Sequence, residues 1–452
     1  MTLAVGVLAV VSICVVAGTP WASAHVNRGG ARGSVAGGHG WRQVSYRGYT
    51  FQVPRSWPVI DLTAHPGTCV RFDHHAVYLG QPGSGQSCPS NLVGATEALV
   101  VQPASGQGAA SAPAGTSVED PVSHRITVST SRIGVTAAYR GDRAQILAIL
   151  GSAGLRQPSV QDPAHMAAQS RAAQPVPGGA TNYTGKGFDA CTAPRPKAMR
   201  AWLAHSSYNA IGIYIGGSDR ACPQPVLTNG WVVRRAAAGW HFFPLYVGPQ
   251  VSFGEISVHS AASQAVRSAR DAVAAARSLG FRPGSPIYYD MESYSPKRRR
   301  AALTFFSSWT TKLHALGYRS GIYSSSNSGI SDLAKNYHGG VYAMPNVIDV
   351  ARWNGVANTA DPNVPASAWA NHHRIHQYRG NVTQTHGGYT ITIDQDYLDI
   401  KLRVVKPTSG GGWSRPQSSQ GTPAATTGPG RAISVGTYAG SSRRAHTAIA
   451  TG

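Results

Sequence analysis

Two short motifs in this chain end an apolar run with a pair of acids: Ile287-Tyr288-Tyr289-Asp290-Met291-Glu292 and Ile391-Thr392-Ile393-Asp394-Gln395-Asp396. Strand side chains alternate between faces, so Asp290 and Glu292 point the same way, as do Asp394 and Asp396. Asp189 closes a third such run, Gly187-Phe188-Asp189. Only twelve acids lie between residues 184 and 406, so their position at strand ends is informative. Carboxylates crowded at one mouth cannot all ionise; one pKa rises, and that group can donate a proton near neutrality. Glycoside hydrolysis has this requirement, with one carboxylic acid protonating the leaving oxygen and a second group acting at the anomeric centre. Tyr214, Trp240, Tyr246, Tyr288, Tyr289, Tyr323, Trp353 and Tyr378 lie on or near strands and could face sugar rings. The competing readings are structural: an acid at a strand end can cap the next helix, and barrel aromatics commonly serve as core.

The elements that must hold these residues are legible as alternating runs. Strands are expected at Gly187-Phe188-Asp189, Ala210–Ile215, His241–Val247, Pro286–Glu292, Arg319–Ser324, Val347–Trp353, His373–Tyr378 and Tyr389–Tyr397. Helices are expected at Pro196–His205, Leu227–Ala238, Ala261–Leu279, Lys297–Leu316 and Ile330–Tyr337, with Gly280 placed as a helix-terminating glycine. Eight strands with intervening helices predict an α/β fold, a (β/α)8 TIM-like barrel over residues 185–405 with weakened helices in its last third. In such a barrel the site lies at the carboxyl ends of the strands. A doubly wound sheet is the alternative, but no glycine-rich phosphate fingerprint follows the first strand.

Residues 41–156 read as a small α+β domain of short strands, among them Tyr49–Val53, Cys69–Phe72, Ala76–Leu79, Arg125–Val128 and Ile133–Val135, with Asp142–Leu150 as a closing helix. It carries no catalytic constellation; its His74-His75 pair points apart on a strand and reads as satisfied or exposed. Residues 157–184, rich in Pro, Ala, Gln and Gly, read as a linker, and 406–452 as a disordered Ser/Gly/Thr/Pro-rich tail.

At the amino end, the apolar stretch Leu3–Val16 is followed by Ala22-Ser23-Ala24, which predicts a signal peptide over 1–24. No Lys or Arg precedes Arg28, so the segment is either cleaved or kept as an anchor. Beyond it no apolar run is long enough for a membrane span. Export leaves Cys69, Cys88, Cys191 and Cys222, which allow three disulfide connectivities; sequence proximity favours Cys69–Cys88 and Cys191–Cys222. A zinc site is the alternative, but there is no CxxC pair.

The composition excludes a multi-pass membrane protein and a fully disordered chain: 42% of the 452 residues are hydrophobic and 13% charged. The formal charge of +21 invites a nucleic-acid reading, yet the excess is spread along the whole chain. Its one dense run, Lys297-Arg298-Arg299-Arg300, reads as a solvated helix start.

Taken with Gly187–Cys191, Tyr214–Gly217, Tyr246-Val247-Gly248 and Ser320–Ser324, the two acid motifs resemble the glycoside-hydrolase-like domain first catalogued as domain of unknown function 1906. That family is common in exported actinobacterial proteins and is similar to the family 25 glycoside hydrolases, barrel lysozymes that cut peptidoglycan between N-acetylmuramic acid and N-acetylglucosamine. The resemblance spans Gly185 to about Leu402 and implies Glu292 as general acid. Asp290 would be its partner, orienting an N-acetyl group or stabilising an oxocarbenium-like transition state. Asp189 and Asp394 or Asp396 would hold sugar hydroxyls or tune the acid. Ala190-Cys191 follows Asp189 where the lysozymes carry Ser or His.

The expectation is therefore an exported or cell-wall-associated monomer that hydrolyses cell-wall glycan. Its catalytic residues are Glu292 and Asp290. Its substrate contacts are Asp189, Asp394, Asp396, Tyr214, Tyr246, Tyr323, Trp353 and Tyr378. It needs no cofactor or metal and binds no nucleic acid. The alternative is a non-catalytic wall-binding module on a degenerate barrel, attached through its spread positive charge.

Overall fold

The computed structural model describes residues 40–83, 85–104, 114–160 and 173–403. The signal segment expected at 1–24, part of the linker and the tail at 406–452 lie outside the described residues. The described residues form one compact unit.

The described chain begins with an antiparallel hairpin, β1 (Trp41–Tyr46) and β2 (Tyr49–Pro54). Its two-residue turn, Arg47-Gly48, takes positive φ at both positions, which matches the strand twist. A seven-stranded mixed sheet follows, built from β3 (Val59–Asp61), β4 (Val77–Leu79), β5 (Ala98–Pro103), β6 (Thr116–Asp120), β7 (Arg125–Ser129), β8 (Ile133–Ala138) and β9 (Ser159–Val160) in the order β3-β4-β5-β8-β7-β6-β9. Helix α1 (Arg143–Ser152) buries Ile146, Ile149 and Leu150 with Phe51, Val53, Leu99 and Val135. The expected His pair is satisfied: His75 stacks on Trp57 and meets the Glu97 carbonyl, and His74 meets the Tyr78 phenol.

The rest of the chain closes an eight-stranded barrel of β10 (Tyr183–Asp189), β11 (Ala210–Gly216), β12 (His241–Tyr246), β13 (Pro286–Asp290), β14 (Arg319–Ser325), β15 (Val347–Ala351), β16 (His373–His386) and β17 (Tyr389–Ile400). Each lies where the sequence placed a strand. Helices α2 (Pro196–His205), α3 (Asn229–Ala237), α4 (Ala261–Ser278), α5 (Arg299–Ala315) and the short α6 (Ser331–Lys335) lie between the first six strands. α4 turns Ala261, Ala265, Ala269, Ala272 and Ala276 inward. It stops at Gly280 with φ +95°, where the Phe281 and Gly280 amides close back on Ala276 and Arg277.

The fold is mixed α/β around a closed barrel, and the regular (β/α)8 alternation is not kept. No helix joins β15 to β16, and β17 runs antiparallel to both β16 and β10. The reason is local. Gly387-Gly388, both at positive φ, is a two-residue hairpin turn, which can join only antiparallel neighbours.

Inside the barrel the lower layers are apolar, with Ala210, Phe243, Tyr288, Ile375 and Leu398. A larger cluster between the barrel and its helices holds Phe188, Trp202, Trp240, Tyr246, Tyr289, Phe305 and Trp309. No helix among the described residues is long and apolar enough to cross a membrane.

Candidate carboxylate site in the barrel

Strand parity brings the acids together. Asp189 on β10 lies directly opposite Asp394 on β17, and Asp396 lies opposite Gln377 on β16. The Gln377 amide donates to Asp189 Oδ2 at 3.1 Å and to Asp394 Oδ2 at 3.2 Å. Its oxygen accepts from Tyr323 at 3.1 Å and from the Trp353 indole at 3.0 Å. Tyr214 donates to Asp189 Oδ1 at 2.7 Å. Asp189, Asp290, Asp394 and Asp396 are each at most 3% exposed, whereas Glu292 is half-buried and Trp353 is 52% exposed.

The Asp-x-Glu motif is fixed by a residue the sequence did not announce. Gln250, fully buried in the loop after β12, donates to the carbonyls of Gly248 and Asp290 at 3.0 and 2.9 Å. Its oxygen accepts the Glu292 amide at 2.9 Å. Glu292 itself lies just beyond the end of β13, outside the regular strand.

Burial dominates the electrostatics. It pushes the Glu292 carboxyl up to about 7, and Asp394 adds to the shift. Asp290 is raised well above the usual range by burial and then by the Glu292 charge, and Asp189 by burial and then by Asp394. Asp349 on β15, which sequence reasoning passed over, is raised by burial to about 8; Asp396 is raised well above the usual range by burial and then by the Asp189 charge. Asp394 rises only to about 6, because hydrogen bonds from Ser90 and the Asn381 backbone oppose its burial. Asp290 Oδ1, Asp349 Oδ1 and both Asp396 oxygens meet no hydrogen-bond donor among the described residues. A protonated carboxyl, itself a donor, suits such positions better than an anion.

Two expected sugar contacts are elsewhere. Tyr246 points outward, packing between Tyr289 and Trp309 and bonding to Asp271 of α4. Tyr378 reaches the Tyr208 phenol, which packs on Phe188 and Trp202 outside the barrel. Plain strand alternation places both: Tyr246 shares the outward parity of Phe242, opposite to Phe243 and Leu245, and Tyr378 is opposite in parity to the inward Ile375 and Gln377. Tyr214, Tyr323 and Trp353 do converge with the acids. The loop bearing Trp353 also forms an open depression of about 420 Å³ between Arg352 and Pro362.

Both favoured disulfides are formed, Cys69–Cys88 and Cys191–Cys222. They adjoin: the sulfurs of Cys69, Cys88 and Cys222 lie within 4.8 Å of one another. Among the described residues this is the one set of three His, Cys, Asp or Glu ligand atoms so close, and all three sulfurs are engaged. The basic run at 297–300 is exposed, and Arg299 pairs with Asp332 at 2.6 Å.

Residues 200–398 match a family model described as Rv2525c-like, glycoside hydrolase-like domain, so the resemblance drawn from the motifs is borne out over this stretch. Among solved structures, an uncharacterized B. stearothermophilus protein is similar at 17% identity, covering 47% of this chain and 95% of its own, with a TM-score of 0.35. The Mycobacterium tuberculosis Tat-secreted protein Rv2525c, in complex with L-tartrate, is similar at 14% identity, 50% and 97% coverage, and a TM-score of 0.36. The modular autolysin LytC from Streptococcus pneumoniae is similar at 11% identity, 63% and 58% coverage, and a TM-score of 0.33. No curated protein matches the chain.

Proposed function

We propose that the barrel is a glycosidase acting on cell-wall glycan, with peptidoglycan as its substrate, in a protein exported through its amino-terminal segment. The observation that carries this reading is the contrast between two neighbouring carboxyls. Glu292 is partly accessible and raised to about 7, so a large fraction is protonated at neutral pH. Asp394 is held lower by neutral donors on both of its oxygens. Carboxyls whose surroundings push them apart divide naturally into acid and anion.

In this reading Glu292 protonates the glycosidic oxygen as the bond breaks, and Gln250 fixes its backbone. Asp394 supplies negative charge to the oxocarbenium-like transition state. Asp290, neutral in its buried site, donates a hydrogen bond to a substrate N-acetyl carbonyl. Asp189, Tyr214, Tyr323 and Asp396 keep this constellation in place, and the exposed Trp353 ring receives a sugar face. The protein works as a monomer, without metal, cofactor or nucleic acid.

The test is release of reducing ends from purified peptidoglycan and from chitin-type oligosaccharides, by wild type and by Glu292→Gln. Release by wild type alone supports the assignment; equal release by both removes Glu292 from the mechanism. One observation favours a second reading, a wall-binding module: Asp189, Asp290 and Asp394 are almost fully covered. That reading predicts no release and salt-sensitive pelleting with cell walls, unchanged in Glu292→Gln.

A further inference from the structure

We propose that Ser90, which lies outside the barrel in the segment between β4 and β5, is a positioning residue for the barrel's carboxylate site, fixing the Asp394 carboxylate through its hydroxyl. The inference rests on the glycosidase reading for its catalytic consequence, but its geometry stands apart from that reading. Ser90 is buried, and its hydroxyl donates to Asp394 Oδ1. Its backbone amide donates to Asn381 Oδ1 at 2.9 Å. The Asn381 backbone amide in turn donates to the same Asp394 oxygen at 2.6 Å. Asn381 does this at φ +53°, in the irregular stretch of β16 between Arg379 and Val382, a conformation asparagine tolerates well. Its side-chain amide closes the contact on Asn91 Oδ1 at 3.0 Å.

Ser90 is held on both sides. Cys88, two residues before it, is tied to Cys69. Val93 bridges to Arg220, and the Gly94 amide meets the Asp219 carbonyl at 2.7 Å. Arg140 pairs with the Asp219 carboxylate at 3.1 Å. A hydroxyl anchored this way acts as a fixed support for the group it touches.

The groups that feel the Asp394 charge are Asp189 on β10, Tyr214 on β11, Asp290 on β13, Glu292 beyond it, Tyr323 on β14 and Asp396 on β17. Asp349 on β15 acts on Asp189, Asp290 and Asp396. Removing the Ser90 hydroxyl takes a donor from the ionised form of Asp394, so Asp394 binds its proton more tightly. Glu292 then faces less negative charge and releases its own proton more readily. Both limbs of a bell-shaped activity profile move inward.

The experiment uses the full-length chain with Ser90→Ala and Ser90→Thr, folding being checked by thermal unfolding. Carbon-13 NMR follows the carboxyl titrations, assigned through Asp394→Asn and Glu292→Gln, and reducing-end release is measured against pH. The expected result in Ser90→Ala is an upward move of the Asp394 midpoint by about one pH unit, the scale of a hydrogen bond to a charged group. Glu292 moves down, the activity profile narrows, and Ser90→Thr restores the wild-type midpoints. An unmoved Asp394 midpoint in folded Ser90→Ala, or an equal shift in Ser90→Thr, would overturn the proposal. Absence of release by wild type would instead defeat the glycosidase reading, and the titration would still decide the role of Ser90.

Discussion

The indole of Trp353 donates to the side-chain oxygen of Gln377 at 3.0 Å, tying an exposed ring at the mouth to a buried amide that also holds Asp189 and Asp394. The ring is therefore oriented before any ligand arrives. Trp353→Ala should weaken glycan binding by about 1–2 kcal/mol, on the scale of an aromatic contact, raising KM roughly tenfold. The pH profile should stay in place. Isothermal titration with chitin-type oligosaccharides and steady-state kinetics check both parts; an unchanged KM would show that the ring receives no sugar.

Gln377→Met keeps the volume and removes the amide. It leaves Tyr323, Asp189 and Asp394 each short of a partner, so a loss of about 1–3 kcal/mol in unfolding free energy is expected from the unpaired buried groups. Urea denaturation measures it. Tyr246→Phe is the contrasting case: its hydroxyl serves Asp271 on the outer face, so stability falls while glycan binding is unaffected.

Stability should fall as pH rises through the neutral range. Asp394 at about 6, Glu292 at about 7 and Asp349 at about 8 keep protons in the folded chain. An unfolded carboxyl loses its proton near about 4. The folded state thus binds more protons between those values, and its stability declines across that window. Glu97 acts with the opposite sign. Its carboxylate receives the amides of Arg140, Gly141 and Asp142, and hydrogen bonding outweighs burial to bring it down to about 2. Its contribution is present above about 4.5 and lost as pH falls toward about 2. Thermal unfolding should therefore show its highest midpoint in mildly acidic buffer, and Asp349→Asn should flatten the neutral-side decline. A midpoint that climbs from mildly acidic to mildly alkaline buffer would contradict the account.

Much of this was legible in the sequence, and the exceptions share physical causes. The eight strands of the barrel could be placed because each is a short apolar run bounded by turn residues, and Asp189, Asp290 and Asp394 could be grouped by parity alone. The antiparallel last strand was hidden by reading His373–Tyr378 and Tyr389–Tyr397 as separate barrel strands, although Gly387-Gly388 leaves no room for a crossover helix. Tyr246 and Tyr378 were misplaced because the alternation that groups the acids was not applied to them: each sits one residue from an inward position, Leu245 and Gln377, and so faces out. Gln250 and Gln377 carry no charge to draw attention, though Gln377 shares the inward parity of Ile375. Ser90 is 304 residues from Asp394, and no local pattern announces a contact at that separation.

The Cys191–Cys222 bridge closes a separation of 31 residues and begins two positions after Asp189. Replacing both cysteines with alanine should cost roughly 3–4 kcal/mol on the chain-entropy scale, read by chemical denaturation. Reducing-end release should fall with it, because the segment that follows Asp189 is no longer pinned.

The central claim is that Glu292 delivers the proton that breaks a glycosidic bond. The most direct measurement is the rate of reducing-end release from peptidoglycan by folded wild type and folded Glu292→Gln at equal concentration. The account predicts release by wild type and a loss of about 10²–10⁴-fold or more in the variant, the scale of a missing general acid. No release by wild type, or release that survives the substitution, would contradict it.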